Sequence, residues 1–305
     1  MNKKGFTIIE LIVVVSIIAL LIGVMIPGLN AIRVRANCLA QRCQLKDIEI
    51  GLETWAHDND MEYPDSYQEL YGEGSVNGSQ KLCEALLGRD LQGFDTESSW
   101  NPWKDESIAD VYEDPANFNR KGHYVDVTKI PVSQYGQIYN DPPNYPPYPG
   151  NMDKNGNVNG SRKMCYVFTD IFKRTSFQVN GRTIRVGTPI LYYKSDSNKN
   201  IVRSNNFDCG AYDFTDNVWM MQWGSIRDPE NPELAHPFYT EWEKMNGEGK
   251  NPRIFVEKIL NYNIPFADHP GYIEGVPYNK ETYILLSAGP DGMFGTEDDV
   301  WNLSK

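Results

Sequence analysis

The chain has 305 residues, with 41 Asp and Glu against 29 Lys and Arg for a net charge of −12, and its mean hydropathy is −0.52. That acidity excludes nucleic acid and anionic membrane surfaces as partners of the polar part, because both would repel it. The length accommodates an anchor followed by one large domain or two small ones.

The first element is an apolar run from Phe6 to Ile26, preceded by Lys3, Lys4 and Gly5. As a helix it is long enough to cross the hydrocarbon of a bilayer. Glu10 is its one charged residue, and an unpaired carboxylate in lipid costs about 2 to 3 kcal/mol or more, so the position reads as functional. Lys3 and Lys4 precede the run while Arg33 and Arg35 follow it. The basic residues therefore leave its orientation open.

Gly5, Phe6, Thr7, Glu10 and Leu11, followed by unbroken aliphatics, resemble the signal of the type IV pilin and type II secretion pseudopilin superfamily. The resemblance implies that a prepilin peptidase cuts after Gly5 and that the new N-terminal residue, Phe6, is methylated. An ordinary secretory signal is cut behind its apolar core, whereas a cut at Gly5 leaves the core in the mature chain. It also creates an α-amino group in or near lipid. Glu10 can pair with that amine, in its own chain or in an incoming subunit, which removes the cost of burying each alone.

Pro27 and Gly28 interrupt the run without ending the helix, since helical periodicity resumes with Leu45, Ile48, Leu52 and Trp55. The helix is expected from Phe6 to about His57, roughly 75 Å long. Its first half, 6–27, spans the membrane. Its amphipathic half, 28–57, needs a sheet to cover its apolar stripe. The following segment, with Asp58, Asp60, Tyr63 and Pro64, is similar to the helix exit of major pseudopilins. Ser79 to Gly88 reads as a short helix capped by the serine and ended by the glycine. Residues 89–159 form a large irregular insertion rich in Tyr, Pro, Asn, Asp and Gly, culminating in YNDPPNYPPYPG at 139–150. Strands are expected at Cys165 to Thr169, at Phe177 to Val186 around an Asn180-Gly181 turn, and at Pro189 to Lys194. Short helices are expected within Pro229 to Gly247 and at Pro252 to Tyr262. Thr282 to Ser287, apolar on both faces, reads as a central strand. The fold class is α+β and, by the resemblance, pilin-like: the long helix is laid on an antiparallel sheet, with 1–5 a leader and 58–305 one globular domain.

Within the C-terminal run SAGPDGMFGTEDD, Asp291, Asp298 and Asp299 offer carboxylates on one short loop, and glycines allow backbone carbonyls to turn inward. Calcium takes six to eight oxygens from such a mixture. The run also resembles the calcium loop of major pseudopilins, which assigns Asp291, Asp298 and Asp299 the ligand role and calcium a structural one. A solvated acidic turn is the alternative. A second run, Asp153 to Asn157, begins like an EF-hand, but Val158 and Met164 stand where its glycine and closing acid belong, so it reads as a turn.

Five cysteines leave at least one without a partner in the chain. Cys38 and Cys43 fall on different faces of the long helix, Cys83 reads as a buried thiol, and Cys165 with Cys209 either bridges in an oxidising compartment or stays as two thiols. His57, His123, His236 and His269 are scattered. No H-E-x-x-H, G-x-S-x-G, P-loop or G-x-G-x-x-G occurs, so the chain reads as no enzyme. The aromatic residues between Trp100 and Trp242 fill an irregular core or form a binding surface.

The resemblance implies a structural subunit of a type II secretion pseudopilus or a type IV pilus-like filament. Its partners would be copies of itself, other pseudopilins, the prepilin peptidase, an inner-membrane assembly platform and membrane lipid. It would be anchored once in the inner membrane, N-terminus cytosolic and body outside. The alternative is a membrane-anchored or filament-displayed module whose insertion recognises a glycan or a secreted protein.

Overall fold

A computed structural model of the chain describes residues 7–67, 69–71, 74–88, 91–95, 119–134, 166–173, 175–179, 182–198, 210–221, 236–245, 251–261 and 276–303. Gly5, Phe6, the proline-rich run 139–150, the EF-hand-like run 153–157, the Asn180-Gly181 turn, Cys165 and Cys209 lie outside those residues.

Helix α1, Ile8–Asp58, runs for 51 residues without a break and passes through position 27, as the resumed periodicity requires. Its two halves meet different surroundings. From Ile8 to Leu39 the large apolar side chains are exposed, Ile8 at 77% and Val24 at 71%. From Gln41 onward one face is buried, with Leu45, Ile48, Leu52 and Trp55 packed among Leu82, Leu86 and Leu285. Gly51 lies on that face because a Cβ there would sit 2.5 Å from Val125 Cγ1 and 2.9 Å from the Tyr124 carbonyl.

Beyond the turn at Asn59 come β1 (Glu69–Tyr71) and β2 (Gly74–Val76), which pair antiparallel. Helix α2, Gly78–Leu87, follows, capped by Asn77, whose N–H donates to Gln80 Oε1 at 2.9 Å. This corrects the expected serine cap. Ser79 lies in the first turn, where its N–H and Oγ both donate to Asn217 Oδ1, at 2.9 and 2.8 Å. The helix presents its apolar face to α1, burying Leu82, Leu86 and the Cys83 thiol.

Short antiparallel pairs build the middle of the fold: β3 (Phe94–Asp95) with β4 (Arg120–Lys121), β5 (Val132–Gln134) with β6 (Tyr166–Phe168), and β7 (Thr175–Val179) with β8 (Arg182–Val186). The described parts of the expected insertion join the core, since Phe94, Val125 and Ile130 are buried beside α1 and α2.

Strand β9 (Leu191–Lys194) leads to a 3-10 helix at Phe214–Met220, to α3 (Pro237–Lys244) and α4 (Arg253–Ile259), and to the pair β10 (Leu260–Asn261) and β11 (Val276–Pro277). Strand β12 (Tyr283–Ser287) is central in a three-stranded antiparallel sheet between β9 and β13 (Val300–Trp301). All five of its residues are buried, as a run apolar on both faces demands. One face of the sheet packs on α1 and α2; the other packs on an aromatic cluster. There Phe255 stands 5.5 Å from Phe214 and 5.6 Å from Phe238, ring centre to ring centre. Of the aromatic residues weighed above, Tyr192, Tyr193 and Tyr212 are fully buried in the core, while Trp100, Trp103, Tyr112, Tyr135, Tyr139, Tyr145 and Tyr148 lie outside the described residues.

Candidate functional site: the head of the long helix and the acidic loop

Thr7 stops the chain in extended conformation and accepts from the Glu10 N–H at 3.3 Å. Glu10 Oε2 reaches back to the Thr7 N–H at 2.9 Å and to its hydroxyl at 2.7 Å. This is a capping box, in which two otherwise unsatisfied groups satisfy each other. The pattern was present in the sequence as Thr7-Ile-Ile-Glu10, and reading Glu10 only against a future amine overlooked it. The box closes the carboxylate over the start of the helix, one residue from position 6. Six residues on, Ser16 Oγ donates to the Ile12 carbonyl at 2.7 Å, so the hydroxyl in the apolar run is also satisfied.

Where α1 enters the globular part, two glutamines fix it. Gln41 Oε1 accepts from the Ile171 N–H at 3.0 Å and Gln44 Nε2 donates to the Thr169 carbonyl at 2.7 Å, both side chains being buried. Sequence reading missed this pair. Their spacing of three, in phase with Leu45 and Ile48, was the available signal.

The loop between β12 and β13 carries Asp291, Asp298 and Asp299. Gly289, at φ +66°, lets the chain turn back so closely that any Cβ would strike the Asp298 carbonyl. Asp298 accepts from the Asp291 N–H at 3.0 Å and from Thr296 Oγ1 at 2.5 Å; Asp291 Oδ1 accepts from the Met293 N–H at 2.7 Å. Asp299 Oδ2 accepts from the Gly295 N–H at 3.0 Å, while its Oδ1 is buried with no hydrogen-bond partner. Burial pushes the Asp299 carboxyl up to about 8, with the charges of Asp291 and Asp298 adding to it. Burial also raises Asp291, and Asp298 adds to that rise. The loop lies against α1, where the charge of Asp298, after burial, raises the Cys38 thiol.

These donors are hard oxygens and one of them is orphaned, which suits a calcium ion. Among the described residues, however, no three acidic, His or Cys side chains converge as a ready-made metal cluster. The acids are turned mainly onto the loop's own N–H groups.

Residues 1–26 match the prokaryotic N-terminal methylation motif. Over 58 residues the chain is 47% identical to the type IV wide pilus major component PilA4 of Thermus thermophilus, a stretch covering 19% of this chain and 44% of that protein. The chain thus matches less than half the length of this relative. No solved structure matches it. In its N-terminal segment, with the methylation motif running into one long helix that is apolar and exposed at its head, the chain is thus similar to type IV pilins.

Proposed function

We propose that the chain is a filament subunit, cut after Gly5, methylated on Phe6 and assembled through α1 into a type IV pilus or a type II secretion pseudopilus. What carries the reading is the contrast within α1: an apolar half exposed on every side, continuous with a half locked into the globular domain. An exposed apolar surface of that size needs lipid before assembly and neighbouring helices after it. In the processed chain the new amine would sit one residue from the Glu10 cap, where the carboxylate can serve its own amine or that of a neighbour. The body then lies outside the cytosol, tethered by a single span, with the peptidase and an inner-membrane assembly platform as partners.

In this reading calcium is structural. Asp291, Asp298 and Asp299 would hold it, and it would neutralise carboxylates whose crowding the loop otherwise sustains. Bound there, it would brace the loop against α1.

The test is Glu10→Ala in the producing cell. The variant is expected in the membrane at normal abundance and processed, with sheared filaments falling below detection. Normal filament yield from this variant contradicts the proposal. Loss of surface filaments on deletion of the chain marks a pilus, and loss of protein export without surface filaments marks a pseudopilus.

A further inference from the structure

The charges on α1 are sorted by sign along its axis. Between positions 33 and 46 there are four basic residues, Arg33, Arg35, Arg42 and Lys46, and no acid. Between 47 and 58 there are four acids, Asp47, Glu49, Glu53 and Asp58, and no lysine or arginine. Within one molecule only Lys46 crosses the boundary, meeting Glu49 at 2.7 Å. Arg33, Arg35 and Arg42 are exposed, and among the described residues none of them makes an ion pair.

The acidic end also has a shaped receptor. A cleft of about 280 Å³ runs beside the helix, lined by Lys46, Glu49, Ile50 and Glu53 on one side and Asn279, Thr282, Tyr283 and Asn302 on the other; Lys46 is held on Glu49, which leaves Glu53 as the carboxylate that no cation within the chain pairs among the described residues. Both Glu53 oxygens accept from the Tyr63 hydroxyl at 3.0 Å. A carboxylate has room for further donors, and a guanidinium offers five in a planar fork. Ile50, 56% exposed, supplies an apolar wall for the arginine stem.

Resting on the filament reading, we infer that this cleft receives an arginine from the basic stretch of α1 of a second copy. Every copy has its apolar end in the membrane, so any two lie parallel. Set level, they bring arginine to arginine and glutamate to glutamate, which repels. Displaced along the axis by the separation of the two stretches, from Arg42 to Glu49 at the least and Arg33 to Glu49 at the most, they bring opposite signs together. At the helical rise that is about 10 to 24 Å. Charge sorting thus selects a staggered addition over a level dimer, the distinction between an open filament and a closed pair.

The test uses the full chain in its membrane. One variant, Arg35→Glu/Arg42→Glu, reverses two arginines of the basic stretch; the other, Glu49→Arg/Glu53→Arg, reverses both glutamates of the cleft. Each alone is expected to lower cross-linked multimers and sheared filaments by roughly tenfold, at unchanged membrane abundance. Co-expressed, they are expected to restore multimers that contain both variants, which also shows that each folds. Loss confined to the first variant overturns the inference in favour of anionic lipid headgroups as the partner of the arginines. Unchanged multimers in both variants, or no rescue on co-expression, overturn it as well. Absence of multimers from the unaltered chain would instead sink the filament reading beneath it.

Discussion

Truncating Ile48 tests whether the second half of α1 is a structural member of the globular domain or only its tether. Ile48 is fully buried, on the α1 face that packs on α2 and the central strand β12. Ile48→Ala removes three carbons from a cluster that draws Leu45 and Leu52 from α1, Leu82 from α2 and Leu285 from β12, three elements that cannot all collapse inward. The expected loss is about 2 to 5 kcal/mol, at the upper end if the cavity stays open. Ile50, two residues along and 56% exposed, is the internal control; Ile50→Ala should change stability by less than about 0.5 kcal/mol. Denaturant unfolding of the full chain in detergent micelles, followed by tryptophan fluorescence, measures both. Equal stability of the two variants would refute the claim that the domain is built on the helix.

Three further outcomes follow from the same contacts. Gly51→Val should destabilise more than Ile50→Ala, because a Cβ at 51 already meets Val125 Cγ1 at 2.5 Å; a melting temperature like that of the unaltered chain would contradict the close approach. Burial raises both Asp170 and Asp216 to about 7 from 3.8, so the folded chain binds protons there that the unfolded chain releases. Their contribution is therefore fully present below pH about 4 and is lost as pH rises through about 7. Asp216→Asn keeps an acceptor for the Ser66 hydroxyl, which lies 2.5 Å away. Its stability relative to the unaltered chain should rise between those pH values, and a pH-independent difference would be the refuting result. Calcium should raise the melting temperature of the full chain and a chelator lower it, with Asp299→Asn abolishing the difference. Identical melting with and without chelator would remove calcium from the account.

Much of α1 was legible because two independent signals coincide on it. A lone carboxylate marks the head of an apolar run, and a three-and-four spacing marks the buried stripe from Leu45 to Trp55. Strand β12 was legible for a related reason: Ile284, Leu285 and Leu286 stand together behind Tyr283, and so aliphatic a run, bounded by turn-formers, leaves little choice but a central strand. What the sequence hid are contacts made across long separations. Nothing local to Gln41 and Gln44 announces that their partners are a carbonyl and an N–H near position 170. Lys81 is buried at 1% exposure against Asp65, 3.1 Å away, yet a lysine in a short amphipathic helix reads as a solvated one. The cap of α2 was misplaced because Ser79 stands nearer the apolar residues, while the Asn77 and Gln80 pair that actually closes the turn requires reading two positions further back. At the site, the cost of a carboxylate in lipid marks Glu10, whereas its partner Thr7 carries no such cost and stands out only through the three-residue spacing of a capping box.

The whole account rests on where the mature chain begins. Intact-mass measurement of the membrane-extracted protein should give a polypeptide starting at Phe6, with the added mass of one N-methyl group. A mass corresponding to a chain that still starts at Met1, or to one cut beyond Ile26, would contradict it.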